Sequence, residues 1–212
     1  MNQATDLVIL KRSLQRRAVF LRQLINVLSP PLDAPADRLV SYAVVEALNT
    51  WASFARAYYL SCCVYQARRA SGTRVTLTGA TISSTIDALF WAARVVKGAK
   101  KPPIDRRQEP AWHDPNTLLK TFTVLNVSNL SQVQAAFSYS TSAFDYLPTV
   151  RNFFAHRNDD TMHKVRDVAR HLGINPNQRA CEIVCSAIAG RPQNVLADWL
   201  DDLRNVAVLL CV

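Results

Sequence analysis

A stretch of 35 residues, from 36 to 70, contains neither Gly nor Pro and is rich in Ala, Leu, Tyr and Val. Because it lacks the usual helix breakers, it predicts one long helix. At 1.5 Å per residue, that helix would be roughly 50 Å long if unbroken, long enough to bend. The whole chain has only 5 Gly in 212 residues, and 49% of its residues are hydrophobic. This composition argues against a turn-rich all-β fold and against disorder.

Further helices are predicted from the spacing of apolar residues. They cover residues 4–28, 80–97, 142–158, 161–172, 176–189 and 193–211, with one or two short helices in 116–140. Asp114-Pro115 suits a helix start, with Asp as N-cap and Pro at the first helical position. Residues 73–78 alternate as a short strand or extended link would, and 98–113 are expected to form an exposed basic loop. The sequence therefore predicts a single all-α domain, a helical bundle over residues 1–212.

The excess positive charge lies in the first part of the chain. Residues 1–120 carry 17 Lys or Arg and 8 Asp or Glu, a net charge of +9, whereas residues 121–212 carry 8 of each kind. This surplus favours a polyanionic partner, with nucleic acid first and an acidic membrane surface second.

A cytoplasmic protein without cofactor or metal is expected. The first apolar run, residues 7–10, is too short for a secretory signal, and no apolar stretch reaches the roughly 18 residues of a membrane-spanning helix. The five Cys are expected to be reduced thiols. Cys181 and Cys185 could bind zinc together with His163 and His171, but no Cys-x-x-Cys pair is present, and packing as small apolar side chains is the preferred interpretation.

Residues 145–158 carry the side chains best suited to chemistry. On a helical projection with Arg151 at zero, Asn152 lies at about 100° and His156 at about 140°, with the small Ala155 at about 40°. The opposite arc is apolar and suits the core; it holds Leu147, Val150, Phe153 and Phe154. One face of this helix therefore presents Arg, Asn and His around a small residue that lets another surface approach closely.

These three side-chain types suit the cleavage of RNA. An Arg guanidinium binds phosphate with a planar fork and stays charged. A His imidazole exchanges protons near neutral pH, and an Asn amide can orient a neighbour or donate to an oxygen. RNA carries its own nucleophile, the 2′-hydroxyl. Arg151 and His156 are therefore sufficient, in principle, for cleavage without a metal ion, with Asn152 as the positioning group.

The sequence Arg151-Asn-Phe-Phe-Ala-His156 resembles the Arg-Asn-x-x-x-His signature of the HEPN superfamily (higher eukaryotes and prokaryotes nucleotide-binding domain). The resemblance implies a helical bundle, usually dimeric, with two such motifs meeting at the interface. Many members are metal-independent ribonucleases of toxin–antitoxin, CRISPR-linked and anti-phage systems. In HEPN toxins silenced by nucleotidyl transfer, a Tyr follows two residues after the His, whereas Asn158 occupies that position here.

A second pair, Arg157 and His163, also fits a loose Arg…His spacing. Asp159 and Asp160 lie between them and would repel a phosphate, so the first pair is preferred. Glu46 could pair with Arg151 or orient His156, with Asn49 on the same helical face; a paired structural charge is the alternative.

A basic set around the 98–113 loop could follow an RNA backbone, with Trp112 available to stack a base. It comprises Arg94, Lys97, Lys100, Lys101, Arg106 and Arg107. The alternative for these residues is a solvated loop.

The sequence predicts a HEPN-type endoribonuclease that acts as a homodimer. The resemblance alone implies the setting of a toxin or anti-phage effector, silenced by an antitoxin or larger assembly. Two alternatives stay open. One is a non-catalytic HEPN-like module that binds RNA, a nucleotide or a protein partner. The other is a helical adaptor with a basic face.

Overall fold

The computed structural model describes residues 1–28, 30–139, 141–188 and 190–212. Within them the chain is helical and contains only isolated β-bridges, so the all-α prediction is confirmed. The helices are α1 Leu7–Asn26, α2 Ala34–Tyr65, α3 Thr85–Lys97, α4 Pro115–Leu125, α5 Leu130–Ser138, α6 Ser142–His156, α7 Asp159–His171, α8 Ala180–Cys185 and α9 Val195–Cys211.

Several helix ends follow from residues visible in the sequence. Asp114 caps α4 by accepting a hydrogen bond from the backbone N–H of Asn116, as predicted, with Pro115 at the start of the helix. Ser84 caps α3 through the N–H of Asp87, and Gly98 ends α3 in the left-handed conformation, with φ of 68°.

Most of the helices are shorter than predicted, and for two of them the structure shows the reason. Helix α2 ends at Tyr65 rather than near residue 70, because Gln66 adopts a left-handed φ of 45° and Arg68 forms isolated bridges with Asp6 and Arg74. Helix α8 begins only at Ala180, since the preceding residues form a turn in which the Asn175 side chain accepts from the N–H of Asn177. Residues 73–78 form the extended link that the sequence predicted, not a strand.

The chain divides into two compact units, each assembled from separated segments. The first comprises Met1–Leu14, Thr50–Ser140 and Asn205–Val212, and the second comprises Gln15–Asn49 and Thr141–Arg204. The sequence-based expectation of a single domain over 1–212 stays a prediction.

An aromatic cluster forms the core of the first unit. Phe54 stacks on Tyr58 with ring centroids 6.0 Å apart, and Tyr58 stacks on Phe122 at 5.8 Å. Tyr59 contacts Phe122 at 5.9 Å and Trp112 at 5.1 Å. All five side chains are buried, and such rings contribute more apolar contact area than any other residue type.

Both buried tyrosine hydroxyls in this core have polar partners. Tyr58 donates to the carbonyl of Leu210 at 3.1 Å and accepts from Asn129 at 2.8 Å, while Tyr59 donates to the carbonyl of Ala88 at 2.7 Å. These bonds satisfy hydroxyls that burial would otherwise leave unpaired. Burial also raises the pKa of both tyrosines well above the ordinary value.

In the second unit, helices α6 and α7 pack against each other, and α7 packs against α8. Leu147, Val150 and Phe154 are the buried residues on one face of α6, and Val165 and Val168 are buried on α7. The predicted division of α6 into an apolar and a polar face agrees with this burial for Asn152, Ala155 and His156, which are exposed on the other face, whereas Arg151 and Phe153 are both half-buried.

Candidate functional site

Helix α6 positions the Arg-Asn-x-x-x-His sequence through its two caps. Thr141 caps its N-terminus by accepting from the N–H of Ala143, and the same hydroxyl donates to Asp202. The helix ends at His156 because Arg157 turns into the left-handed region, with φ of 42°. Asn152 and His156 therefore lie in the last two turns of a helix whose buried face fixes its rotation.

The Arg151 side chain is half-buried and has no acidic partner among the residues that the structure describes. Its Nη1 lies 3.5 Å from Oδ1 of Asn152, at the limit of a hydrogen bond. Its Nε is buried and has no hydrogen-bond partner in the described part of the chain. A guanidinium without a carboxylate can still bind an anion, because its fork remains available.

His156 is exposed at the end of α6, and no hydrogen bond to its imidazole is found within the described ranges. It is the fifth residue after Arg151, which places the two Cα atoms about 7.5 Å apart along the helix axis. The sequence-based grouping of Arg151, Asn152 and His156 on the polar side of α6 agrees with the observed exposure. Their roles in catalysis stay predictions.

The rival pair is separated by a break between helices. Arg157 is the C-cap residue that follows α6, whereas His163 lies exposed on α7, a separate helix that begins at Asp159. Arg157 donates to Asp37 at 3.1 Å and to the Ser41 hydroxyl at 2.6 Å. Its charge is thus engaged within the protein, in contrast to that of Arg151.

Glu46 pairs with Arg17 rather than with Arg151 or His156, the two partners that the sequence suggested. Its carboxylate accepts from Arg17 at 2.7 Å and from the Asn49 amide at 3.4 Å, and Arg17 also donates to the hydroxyl of Tyr42. The hydrogen bond to Glu46 raises the pKa of Arg17. This arrangement matches the structural ion pair that was the alternative, and Arg151 and His156 are not among the recorded partners of Glu46.

Three members of the basic set contact the protein itself. The Lys97 ammonium donates to three consecutive backbone carbonyls, those of residues 107, 108 and 109. Arg106 donates to the hydroxyl of Ser53 at 3.2 Å, and Arg94 lies over the Trp91 ring at 5.5 Å. Lys97 therefore fixes the end of the loop.

The remaining basic side chains of the loop are exposed. They are those of Lys100, Lys101 and Arg107. All six members of the basic set belong to the first unit, whereas Arg151 and His156 belong to the second.

The prediction that Trp112 is available to stack a base is wrong. Its side chain is 4% exposed, its ring packs on Tyr59, and its Nε1 donates to Glu109 at 2.7 Å. Glu109 is itself buried and accepts both Nε and Nη2 of Arg56, at 2.6 and 2.9 Å. Residues 98–108 are largely exposed, as predicted, but 109, 110 and 112 belong to the core.

A cleft of about 340 Å³ in the second unit, lined mainly by polar and charged residues, has no counterpart among the sequence-based predictions. Its lining comprises Asp37, Phe153, Arg157, Met162, Arg166, Asn177, Gln178, Arg179 and Ala180. These residues come from α2, from the stretch between Phe153 and Arg166, and from residues 177–180, and no local sequence pattern marks the cleft.

The cysteines fit the interpretation as packed thiols. All five are buried and free, and burial raises the pKa of Cys181 to about 12 and that of Cys185 to about 11. Within the described ranges, no group of three or more His, Cys, Asp and Glu side chains is placed to hold a metal ion.

Comparison with protein-family models, with curated proteins and with solved structures finds no match for this chain. The HEPN resemblance thus depends on the six residues from Arg151 to His156 and on the helical architecture. None of the described helices combines the length and apolarity needed to cross a membrane.

Proposed function

We propose that this protein is a metal-independent endoribonuclease of HEPN type. The observation that carries the proposal is the state of Arg151: it lies in the HEPN-like sequence, has no carboxylate partner in the described part of the chain, and shares the polar side of α6 with exposed Asn152 and His156. An unpaired guanidinium and an exposed imidazole on the polar side of one helix are groups that suit phosphodiester cleavage.

In the proposed reaction, the 2′-oxygen of the RNA attacks the adjacent phosphorus and the bond to the 5′-oxygen breaks. His156 either takes the proton of the 2′-hydroxyl while water protonates the departing 5′-oxygen, or gives a proton to that oxygen while water takes the 2′-hydroxyl proton. Arg151 stabilises the extra negative charge on the pentavalent phosphorane, and Asn152 positions the imidazole or the phosphate. The products are a 2′,3′-cyclic phosphate, or the 3′-phosphate after hydrolysis, and a 5′-hydroxyl end.

The proposal includes a homodimer in which two copies of the polar face of α6 meet. Arg151 and His156 project about 140° apart on one helix, so a second copy would help to surround a single phosphate. Exposed Ala155 leaves room for close approach between the two faces. By the resemblance, we further propose a role as a toxin or defence effector restrained by a partner.

The second candidate is a non-catalytic HEPN-like module that binds RNA, a nucleotide or a protein partner. One observation favours it: the described residues provide no hydrogen-bond partner for His156. Catalytic bases are commonly oriented by a third group, and none of the described residues orients His156.

The test is incubation of the purified protein with mixed RNA in excess EDTA. We expect the parent to cleave, His156→Ala to cleave at least 100-fold more slowly, and Arg151→Ala to lose about 100- to 1,000-fold. His163→Ala is the matched control for the first variant, because His163 is exposed on the neighbouring helix, and it should cleave within twofold of the parent.

Equal rates in the parent and both variants would contradict the assignment of the site, and loss of activity in His163→Ala alone would transfer it to the rival pair. RNA binding without cleavage by the parent and all three variants would favour the non-catalytic module.

A further inference from the structure

The cleft of the second unit is positively charged. Three of its lining residues are arginines and one is an aspartate, and it has a volume of about 340 Å³. That volume lies at the lower end of the range of small-molecule sites and suits a ligand of about one nucleotide.

Two of the three arginines are already neutralised within the protein. Arg157 pairs with Asp37 at 3.1 Å. Arg179 pairs with Glu182 at 2.7 Å and also donates to the carbonyl of Leu32. Asp37 and Glu182 thus neutralise Arg157 and Arg179. Asp37 is therefore already paired and does not neutralise the third arginine of the lining.

Arg166 is the third arginine, and it makes no ion pair or side-chain hydrogen bond with any residue that the structure describes. Its Nε is buried without a partner. A buried donor left unsatisfied destabilises a protein. The guanidinium as a whole therefore has no acceptor in the described part of the chain, and a phosphate oxygen is the acceptor that its fork fits best.

The other lining residues suit a nucleoside. The side-chain amides of Asn177 and Gln178 offer donors and acceptors for a base edge. Gln178 uses only its Oε1, which accepts from Ser186 at 3.3 Å. Phe153 contributes a half-buried ring, and aromatic rings stack nucleobases.

The cleft is also close to the proposed catalytic face. Phe153 precedes His156 by three residues on α6, a spacing that brings side chains together on a helix surface, with Cβ atoms about 5–6 Å apart. A nucleotide that contacts Phe153 would therefore lie beside His156.

We propose that this cleft binds one nucleotide of single-stranded RNA, with its phosphate on Arg166 and its base among Phe153, Asn177 and Gln178. The proposal rests on the proposed ribonuclease function and names the site that holds a nucleotide next to the one cleaved.

The test measures binding separately from cleavage. A short single-stranded 2′-O-methyl RNA lacks the nucleophilic hydroxyl and stays intact, so its affinity for the full-length protein can be measured by filter binding over a range of salt concentrations. We expect Arg166→Met to weaken binding at least fivefold and to reduce the slope of log K against log salt by about 0.7, the contribution of one single-strand phosphate contact.

Arg170→Met is the matched control, because Arg170 is exposed on the same helix and pairs with Asp167. It removes the same charge and should leave the affinity within twofold of the parent. Arg166→Met should not lower the melting temperature, since the described structure shows no partner for Arg166 to lose. Asn177→Ala, at an exposed position, provides a second variant and should weaken binding about threefold.

Equal affinities and slopes for Arg166→Met and Arg170→Met would overturn the proposal. Competition by uridine or adenosine 5′-monophosphate that depends on Arg166 would support it, whereas equally strong competition by inorganic phosphate would overturn the nucleotide assignment. If the parent does not cleave natural RNA but Arg166→Met still weakens binding, the ribonuclease proposal fails and the cleft assignment stands. If cleavage depends on Arg151 and His156 while Arg166→Met binds like the parent, the cleft assignment fails and the ribonuclease proposal stands.

Discussion

Arg151, Arg157 and Arg166 show how the same side chain takes different states within one compact unit. Arg157 is bound to Asp37 and Ser41, whereas Arg151 and Arg166 each leave a buried Nε unpaired among the described residues. The sequence predicted Arg151 from a local pattern. The unpaired state of Arg166 could not be predicted, because it depends on how α2, α6 and residues 177–180 pack around α7.

Residue-scale errors also came from tertiary contacts. Trp112 follows an exposed basic segment, and only the fold reveals that Glu109 and Tyr59 bury it. The sequence suggests Arg151 or His156 as a partner for Glu46, but a chain with 25 basic residues offers many cations, and helix packing selects Arg17. Local pattern gives the chemistry of a side chain, while its partner depends on contacts distant in sequence.

Asp202 provides a pH-dependent prediction at this scale. Burial is the main effect on this carboxyl and raises its pKa, while the hydrogen bond from Thr141 acts in the opposite direction. Because the folded pKa lies above the unfolded one, the stabilising contribution of Asp202 is complete below the unfolded pKa and is lost as the pH rises through the folded pKa.

We therefore expect Asp202→Asn to raise the free energy of unfolding at pH 7, with a gain that shrinks as the pH falls below the folded pKa. Urea unfolding at pH 7 and pH 4 would measure it. Asp145→Asn is the control: Asp145 is exposed in the first turn of α6, where loss of a negative charge should slightly lower stability at pH 7. A lower stability of Asp202→Asn at pH 7 would contradict the prediction.

At the scale of helices, the sequence predicted which elements form better than where they end. Helix α7 begins at Asp159 instead of residue 161 because Asn158 caps it, and that same residue occupies the position of the Tyr in nucleotidyl-silenced HEPN toxins. The cap is a two-way contact: Asn158 accepts from the N–H of Thr161, and the Thr161 hydroxyl accepts from the N–H of Asn158. Position 158 therefore serves helix geometry here.

Asn158→Ala should lower the free energy of unfolding by about 1 kcal/mol, the usual cost of losing an N-cap side chain. Asn205→Ala is the matched control, since Asn205 is exposed inside α9 and Ala favours a helix interior. Urea unfolding followed by circular dichroism would compare the two. Equal effects would show that the cap contributes nothing beyond helix propensity.

At the scale of the whole molecule, the two compact units could not be recognised from the sequence. Each combines segments separated by long stretches of the other, so no linker or change in composition marks a boundary. The charge division between residues 1–120 and 121–212 does not follow the units either, because Gln15–Asn49 belongs with Thr141–Arg204. Sequence halves and folded units are therefore different divisions of this chain.

The proposed homodimer gives a prediction at this scale. Activity per chain should fall on dilution below the dimer dissociation constant, and sedimentation should show the corresponding loss of dimer. Ala155→Gln should lower both dimer fraction and activity at least fivefold, because a longer side chain would prevent close approach of the two faces. Ala135→Gln, at an exposed position on α5, should do neither. A monomeric parent with constant specific activity would contradict a dimeric site.

The distribution of tryptophans gives each compact unit its own optical signal. Trp199 is the single tryptophan of the second unit; it is buried, and its Nε1 donates to the Ser142 hydroxyl at 3.1 Å, while the other three belong to the first unit. With Trp51→Phe, Trp91→Phe and Trp112→Phe combined, the emission of Trp199 alone would report the melting of the unit that carries Arg151 and His156. The shift of Trp199 emission to longer wavelength on exposure to water would report unfolding of the second unit separately from unfolding of the aromatic core in the first unit.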